Sequence, residues 1–92
     1  GHAIASGVYV AAVNRVGLER AQPGDAGIEF WGGSFVCDPQ GALLAEASPD
    51  KEEIVYAEVD RRRIEEVRRN WPFLRDRRID AYGDILKRYR DA

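Results

Sequence analysis

Apolar stretches alternate with turn-rich polar stretches along the first sixty residues of the chain. Residues 8–13 (VYVAAV) are apolar at nearly every position, which favours a strand buried on both faces of a sheet. The small apolar residues before them end at Gly7, so we predict the last turns of a helix closed by a left-handed glycine. Residues 17–27 are rich in glycine and polar residues, and this composition predicts an exposed loop.

Three further strands are predicted between residues 30 and 59. Residues 30–36 (FWGGSFV) form the first, and their two central glycines indicate a bulge or the close approach of another backbone or a ligand. Residues 38–41 have proline second and glycine fourth, as in a β-turn, and predict a hairpin to a strand over 42–47. After a second turn at 48–51, residues 53–59 alternate in the manner of an antiparallel strand with one drier face.

A helix is predicted to begin after Asp60, because an aspartate at the N-cap accepts hydrogen bonds from free backbone amides. Ile64, Val67 and Trp71 recur at helical spacing with charged residues around them. Pro72 ends the helix one or two residues earlier, since the residue before a proline disfavours helical geometry. A short final helix is predicted near residues 84–89.

The tail over residues 72–92 mixes apolar anchors with arginines, and three interpretations stay open. The first is a contact between subunits of a homo-oligomer, because tryptophan, tyrosine and arginine are enriched at binding hot spots. The residues that would carry this contact are Trp71, Phe73, Arg77, Ile79 and Tyr82. The second is an intramolecular wrap over the sheet, and the third is nucleic-acid binding.

Charge is distributed unevenly, with about −7 over residues 1–60 and +5 over residues 61–92. A basic tail can indicate a nucleic-acid partner. Acidic residues are interspersed among these arginines, however, whereas a phosphate-binding stripe is more one-sided. The mixture therefore favours ion-paired protein contact, with no nucleic acid as partner.

Composition narrows the remaining classes of protein. A single cysteine, Cys37, excludes an internal disulfide framework and fits a reducing cytoplasm. One cysteine and one histidine are too few for a structural zinc site, which needs four ligands, so no metal is expected. No apolar run approaches the roughly 20 residues that a membrane span requires, so no membrane partner is expected.

The predicted elements make a layered α/β arrangement of mostly antiparallel strands, one main helix and a docking tail. A strand buried on both faces needs neighbouring strands that 92 residues barely supply. The chain also contains no methionine. We therefore expect a piece of a larger domain.

Three runs of sequence closely resemble the carbon–nitrogen hydrolase (nitrilase) superfamily, and together they cover nearly the whole chain. They are GHAIASGVYVAAVNRVG, EFWGGSFVCDPQGALLAEAS and RIEEVRRNWPFLRDRRIDAYGDILKRY. The first two runs are features of the wider superfamily. The tail motif NWPFLRDRRIDAY is more discriminating and favours the branch that acts on N-carbamoylputrescine.

The resemblance implies that residues 1–92 form the C-terminal portion of one α-β-β-α sandwich domain. It implies a thiol amidohydrolase with a Glu base, a Lys and a Cys nucleophile, no cofactor and a small amide or carbamoyl substrate. All three catalytic residues would precede Gly1, so the chain alone should be inactive. The alternatives are an amidase for N-carbamoyl amino acids or simple amides, and a non-catalytic interaction module.

Some residues of this chain are nevertheless candidates for site roles. Cys37 has the chemistry of a nucleophile, but it ends a strand with no histidine nearby, so we interpret it as a buried apolar filler. The substrate-pocket candidates are Asn14, Phe30, Trp31, Gly32, Gly33 and Ser34. The glycines permit close backbone approach, and aromatic faces suit a cationic alkylamine. The alternatives are that Phe30, Trp31 and Phe35 are core aromatics between the sheet and the helices, and that Asn14 orients a loop.

Overall fold

The computed structural model describes residues 1–90 as two helices and five short strands. In chain order these are α1 (His2–Ser6), β1 (Val10–Ala12), β2 (Val16–Glu19), β3 (Ile28–Trp31), β4 (Phe35–Cys37), β5 (Leu43–Glu46) and α2 (Arg61–Asn70). Two 3₁₀ segments follow, Ile79–Ala81 and Gly83–Leu86. The final helix predicted near 84–89 is thus a single 3₁₀ turn that begins earlier. Residues 91–92, the end of the predicted tail, lie outside the described residues.

The strands form two antiparallel sheets. One has the order β1–β4–β5, with Val10 opposite Cys37 and Cys37 opposite Leu43. The other is a two-stranded ribbon of β2 and β3, in which Val16 lies opposite Trp31. The predicted fold class, a mixed α/β protein with antiparallel strands, is confirmed.

Local signals in the sequence fix the end of α1 and the β4–β5 turn. Gly7 adopts the left-handed conformation with φ 60° and ψ 47°, which closes α1 as predicted. The Gly41 amide donates to the Asp38 carbonyl at 2.9 Å, so residues 38–41 form the expected β-turn. The Asp38 carboxylate also accepts from the amides of Gln40 and Ala42, which ties the turn to the start of β5.

Helix α2 begins and ends where its capping residues predict. The Asp60 carboxylate accepts from the Arg62 amide at 2.9 Å and satisfies one free donor of the first turn. The helix ends at Asn70, two residues before Pro72. Val67 is only 5% exposed, whereas most of the other α2 side chains face solvent.

The prediction of one strand over residues 30–36 is wrong, because the chain changes sheets in the middle. Gly32 and Gly33 have φ values of +57° and +72°, and two successive left-handed residues cannot continue a strand. The residues before them belong to β3, and those after them to β4. The loop predicted over 17–27 is also too long, since β2 extends to Glu19 and pairs with β3.

The strand predicted over residues 53–59 does not form. No strand ladder within residues 1–90 includes it, and Ile54 and Tyr56 are 76% and 83% exposed. Alternating apolar residues make a segment suitable for a strand, but strand formation also requires an adjacent edge with which to pair. None of the described strands provides that edge.

Burial of residues 8–13 on both faces is also not observed. Ala11 faces solvent and Val13 is 91% exposed. Burial on both faces needs a packed layer on each side of a sheet. Among residues 1–90 the surface that carries these two side chains is left open.

The described chain is a thin slab of 59 × 42 × 14 Å with a radius of gyration of 20.2 Å. A compact domain of this length would have a radius of gyration of about 12 Å. The accessible surface of the described chain is 8138 Å², against roughly 5,400 Å² for a compact monomer of this mass. The buried core consists of a few small side chains, namely Ala3, Cys37, Pro39 and Val67.

Candidate functional site

The crossing between the two sheets is held by a network of hydrogen bonds around Asn14. The Asn14 amide donates to Ser34 Oγ at 2.8 Å, and Ser34 Oγ donates to the Asn14 carbonyl at 3.2 Å. Asn14 Nδ2 donates to the Gly32 carbonyl at 2.8 Å, while Asn14 Oδ1 accepts from the Arg15 amide at 2.9 Å. The Asn14 side chain therefore joins the β1–β2 connection to the β3–β4 connection through Nδ2, while its Oδ1 braces the chain locally.

Gly32 lies where two backbones approach closely. A Cβ at this position would stand 2.6 Å from Val16 Cγ1 and 2.8 Å from the Ser48 carbonyl oxygen. The amide of the next residue, Gly33, donates to that same carbonyl at 3.3 Å. Of the alternatives predicted for these glycines, the close approach of another backbone is the one found at Gly32, and the approaching backbone belongs to residues 48–49 of the same chain.

The two aromatic residues of β3 have different environments. Phe30 is half-buried, and the Arg15 guanidinium carbon lies 4.4 Å from its ring centroid, a cation–π geometry. Trp31 is 73% exposed, and its ring lies 3.4 Å from where a Cβ on Gly33 would be. Neither aromatic belongs to a packed core within the described chain. The six pocket candidates therefore share one region, with Trp31 as its most open side chain.

Arg15 and Ser48 belong to this region but were not predicted. Arg15 covers Phe30 and pairs with Glu19 at 2.5 Å, while the Ser48 carbonyl receives the Gly33 amide. The spacing of four residues between Arg15 and Glu19 suggests a helical pair rather than a strand pair, so it gave no usable signal. Ser48 acts through its backbone, which sequence reasoning does not detect.

The described part of the chain does not bring together the nucleophile and base that thiol catalysis requires. Cys37 is 7% exposed and lies in β4 between Val10 and Leu43. His2 is exposed on α1, far along the chain from it. No cluster of metal-binding side chains occurs among residues 1–90. Residues 1–90 thus contain no assembled pair of thiol nucleophile and histidine base.

A groove of about 670 Å³ lies between α1, α2 and the start of the tail. Three predicted interface residues line it, and Trp71 and Phe73 are 52% and 48% exposed. The third, Arg77, donates from Nε to the Leu74 carbonyl at 2.7 Å. The other two, Ile79 and Tyr82, lie outside this groove at the first 3₁₀ segment, 71% and 40% exposed.

No helix in the described part of the chain is both long enough and apolar enough to cross a membrane.

The chain belongs to the carbon–nitrogen hydrolase family, whose model matches residues 1–69. It is 39% identical over 88 residues to an N-carbamoylputrescine amidase from Arabidopsis thaliana, covering 94% of this chain and 29% of the relative. It is also 35% identical to a citrullinase from Francisella tularensis, covering 97% of this chain and 30% of that protein. The resemblance found in the sequence is thereby confirmed at the level of the family.

A solved structure supports the same assignment. The carbon-nitrogen hydrolase from Helicobacter pylori G27 superposes with a TM-score of 0.81 at 59% identity, covering 98% of this chain and 31% of that one. The chain therefore spans less than a third of the length of the proteins that it matches.

Proposed function

We propose that the polypeptide containing this chain is a thiol amidohydrolase acting on N-carbamoylputrescine. Water and this substrate would give putrescine, carbon dioxide and ammonia, a step of putrescine and polyamine synthesis. The observation that carries the proposal is the 39% identity to an N-carbamoylputrescine amidase across 94% of this chain, including most of its discriminating tail. Relatives named for the same substrate from Solanum tuberosum and Solanum lycopersicum match equally well.

In this proposal the described residues support the chemistry without performing it. The Glu, Lys and Cys expected from the resemblance would come from the rest of a single domain of which this chain is the C-terminal portion. The crossing around Asn14 and Gly32 would form part of the substrate pocket. No step of the reaction calls for a cofactor, because a thiolate attacks the carbonyl and water releases the product.

The assembly and compartment follow as parts of the same proposal. The exposed aromatic residues of the groove, Trp71 and Phe73, suit a subunit contact of a homo-oligomer. A free buried cysteine suits a reducing cytoplasm, where disulfides are rare. Sedimentation velocity of the full-length protein with Trp71→Ala tests the contact, which predicts dissociation into smaller species.

The substrate is tested by assaying the full-length protein for release of ammonia. We expect turnover of N-carbamoylputrescine, with putrescine and ammonia formed in equal amounts, and no turnover by the 92-residue chain alone. A protein that ignores N-carbamoylputrescine but hydrolyses a simple amide would overturn the substrate and keep the family. Ammonia release by the short chain would contradict the assignment of catalysis to residues outside it.

Citrulline is a second candidate substrate, because a citrullinase matches 97% of the chain at 35% identity. Citrulline and N-carbamoylputrescine share a ureido group and differ at the far end of the alkyl chain. Citrulline ends in an α-amino acid group, with an ammonium and a carboxylate, whereas N-carbamoylputrescine ends in an ammonium group alone. Parallel assays with the two compounds decide between them, and a higher kcat/KM for citrulline would favour this second function.

A further inference from the structure

The two faces of the β2–β3 ribbon each carry an aromatic ring, but a cation lies over the ring on one face only. On one face the Phe30 ring carries the Arg15 guanidinium at 4.4 Å, and Arg15 pairs with the Glu19 carboxylate at 2.5 Å. An aromatic ring, a cation and a carboxylate thus form a complete set within the chain. Each member compensates another, so this face has little affinity left for an external charge.

The opposite face also has a ring and a carboxylate, but Arg20, which directly follows β2, neither lies over that ring nor pairs with that carboxylate. Side chains alternate along a strand, so Trp31 and Glu29 share this face, with Val16 and Leu18 opposite them on β2. Trp31 is 73% exposed. Among the described residues no cation lies over its ring, and Glu29 forms neither an ion pair nor a side-chain hydrogen bond.

We propose that Trp31 and Glu29 bind the terminal ammonium group of a carbamoylated diamine and thereby select cationic ureido substrates. This inference rests on the proposed function, since it assigns residues to the recognition of that substrate. Tryptophan is the aromatic side chain that attracts cations most strongly. A carboxylate beside it adds a charge-assisted hydrogen bond to the ammonium group.

The spacing of the two residues suits a small cation. Residues two apart on a strand are separated by about 7 Å, and a cation binds an aromatic face within about 6 Å of its centroid. An ammonium group between them can therefore contact both. The indole also lies against Gly33, where a Cβ would be 3.4 Å from the ring. An alkyl chain leaving the ammonium site along this surface would run towards the crossing around Asn14.

The same pair would disfavour an amino-acid end group. Citrulline carries a carboxylate next to its ammonium group, and Glu29 would repel that carboxylate. N-carbamoylputrescine has no negative charge and meets no such penalty. The pair therefore predicts preference for the diamine derivative, which a pocket built only for the ureido group would not give.

The test compares two substrates in the full-length protein. One is N-carbamoylputrescine, and the other is n-butylurea, which has the same alkyl chain without the ammonium group. For Glu29→Gln and Trp31→Leu we expect kcat/KM for N-carbamoylputrescine to fall about tenfold, mainly through KM. Both variants should lose less on n-butylurea than on N-carbamoylputrescine, because n-butylurea has no ammonium group, and the activity that remains shows that the variants fold. The matched control on the other face is Glu19→Gln, which should leave the ratio between the substrates unaltered.

Inhibition by putrescine gives a second readout, because the product retains the ammonium group. Its inhibition constant should rise about tenfold in Glu29→Gln. Wild-type protein active on N-carbamoylputrescine, with the substrate ratio unchanged in both variants, would overturn this inference and leave the proposed function intact. Wild-type protein inactive on N-carbamoylputrescine would overturn both. Equal losses on the two substrates would assign the pair a structural role instead and refute ammonium binding.

Discussion

Asn14 and Ser34 hold each other through reciprocal hydrogen bonds, although twenty residues separate them in the sequence. The Asn14 amide donates to Ser34 Oγ, and Ser34 Oγ donates back to the Asn14 carbonyl. The hydroxyl thus satisfies one donor and one acceptor of a partly buried backbone. It joins the exit of β1 to the entry of β4, the two strands that pair in the main sheet.

Replacing Ser34 by alanine should lower the free energy of unfolding by about 1–3 kcal/mol, because both backbone groups of Asn14 lose their partner. Urea denaturation followed by tryptophan fluorescence measures the change. Ser34→Thr keeps the hydroxyl and should retain most of the stability. An alanine variant as stable as the wild type would show that water replaces the hydroxyl without loss.

A comparison of the stabilities of Gly32→Ala and Gly33→Ala separates the cost of a steric clash from the cost of backbone strain. Both positions have positive φ, so each substitution should cost about 1 kcal/mol or more through strain. Only at Gly32 would the new Cβ meet the Ser48 carbonyl oxygen at 2.8 Å, which adds about 1–3 kcal/mol of overpacking. Thermal denaturation should rank Gly32→Ala as clearly less stable. Equal effects of the two variants would contradict the close approach at Gly32.

Tyr9→Phe should loosen the start of α2. The Tyr9 hydroxyl accepts a hydrogen bond from the Asp60 amide at 3.2 Å and so links β1's entry to the N-cap of the helix. Its removal should cost about 1 kcal/mol and speed hydrogen exchange of the Asp60 amide. Tyr56→Phe is the matched control, since Tyr56 is 83% exposed. If exchange at Asp60 is the same in both variants, the link does not form in solution.

The pKa of Asp80 provides a test of the tail's geometry. Arg78 donates to both Asp80 carboxylate oxygens, at 2.9 and 2.6 Å, and these hydrogen bonds lower the pKa of Asp80 below its ordinary value. The pair's small stabilisation is therefore present above the pKa of an unfolded aspartate and is lost as pH falls through the lower folded value.

Arg78→Gln should raise the Asp80 pKa, while Arg75→Gln should leave it alone, because Arg75 pairs with Asp76. Carboxyl carbon shifts followed by NMR titration measure both variants. The change in overall stability should be small, since solvent screens an exposed pair. An Asp80 pKa that is identical with and without Arg78 would show that the two side chains do not pair in solution.

Cys37→Ala tests the interpretation of the only cysteine in the sequence as a packing residue. The thiol is buried in β4, so substitution should lower stability by about 1 kcal/mol through a small cavity. The kcat of the full-length protein should not change. Ammonia release from N-carbamoylputrescine measures the activity, and a loss of kcat without loss of folding would make Cys37 a catalytic residue.

The features that the sequence predicts correctly are those in which a few adjacent residues decide the conformation. Gly7 closes α1, Asp60 caps α2, Pro72 ends it, and the turn after Cys37 forms as its proline and glycine require. Each depends on a side chain or dihedral preference that acts over two to four residues. Distant parts of the chain hardly influence such choices.

Strand pairing was predicted less well because it depends on distant neighbours. Residues 53–59 have the alternation of a strand but find no partner among the described residues, while β2 forms inside a predicted loop because β3 lies beside it. The change of sheet at Gly32 had a visible signal in its two glycines. That signal predicts either a bulge or a close approach of backbone or ligand, since sequence alone does not tell a local kink from a crossing.

Among the pocket candidates, the sequence identified a cluster but not the roles of its members. Asn14, Gly32 and Ser34 meet through hydrogen bonds, as their polar or small side chains allow. Arg15 occupies the face of the Phe30 ring, and a cation–π pair between residues fifteen apart leaves no pattern in the sequence. Only the three-dimensional structure therefore shows that the face of Phe30 is occupied and that the face of Trp31 is open.

In a slab only 14 Å thick, no charged side chain of the described residues is buried, so dissolved salt acts on all of them. In physiological salt the Debye length is about 8 Å, so charges that are exposed to solvent and lie farther apart than this are largely screened from one another. Attraction at an open site such as Trp31 and Glu29 should therefore weaken steeply as ionic strength rises. The ring's apolar contact with an alkyl chain would persist, so added salt should shift recognition from the charged end of a ligand to its methylene groups.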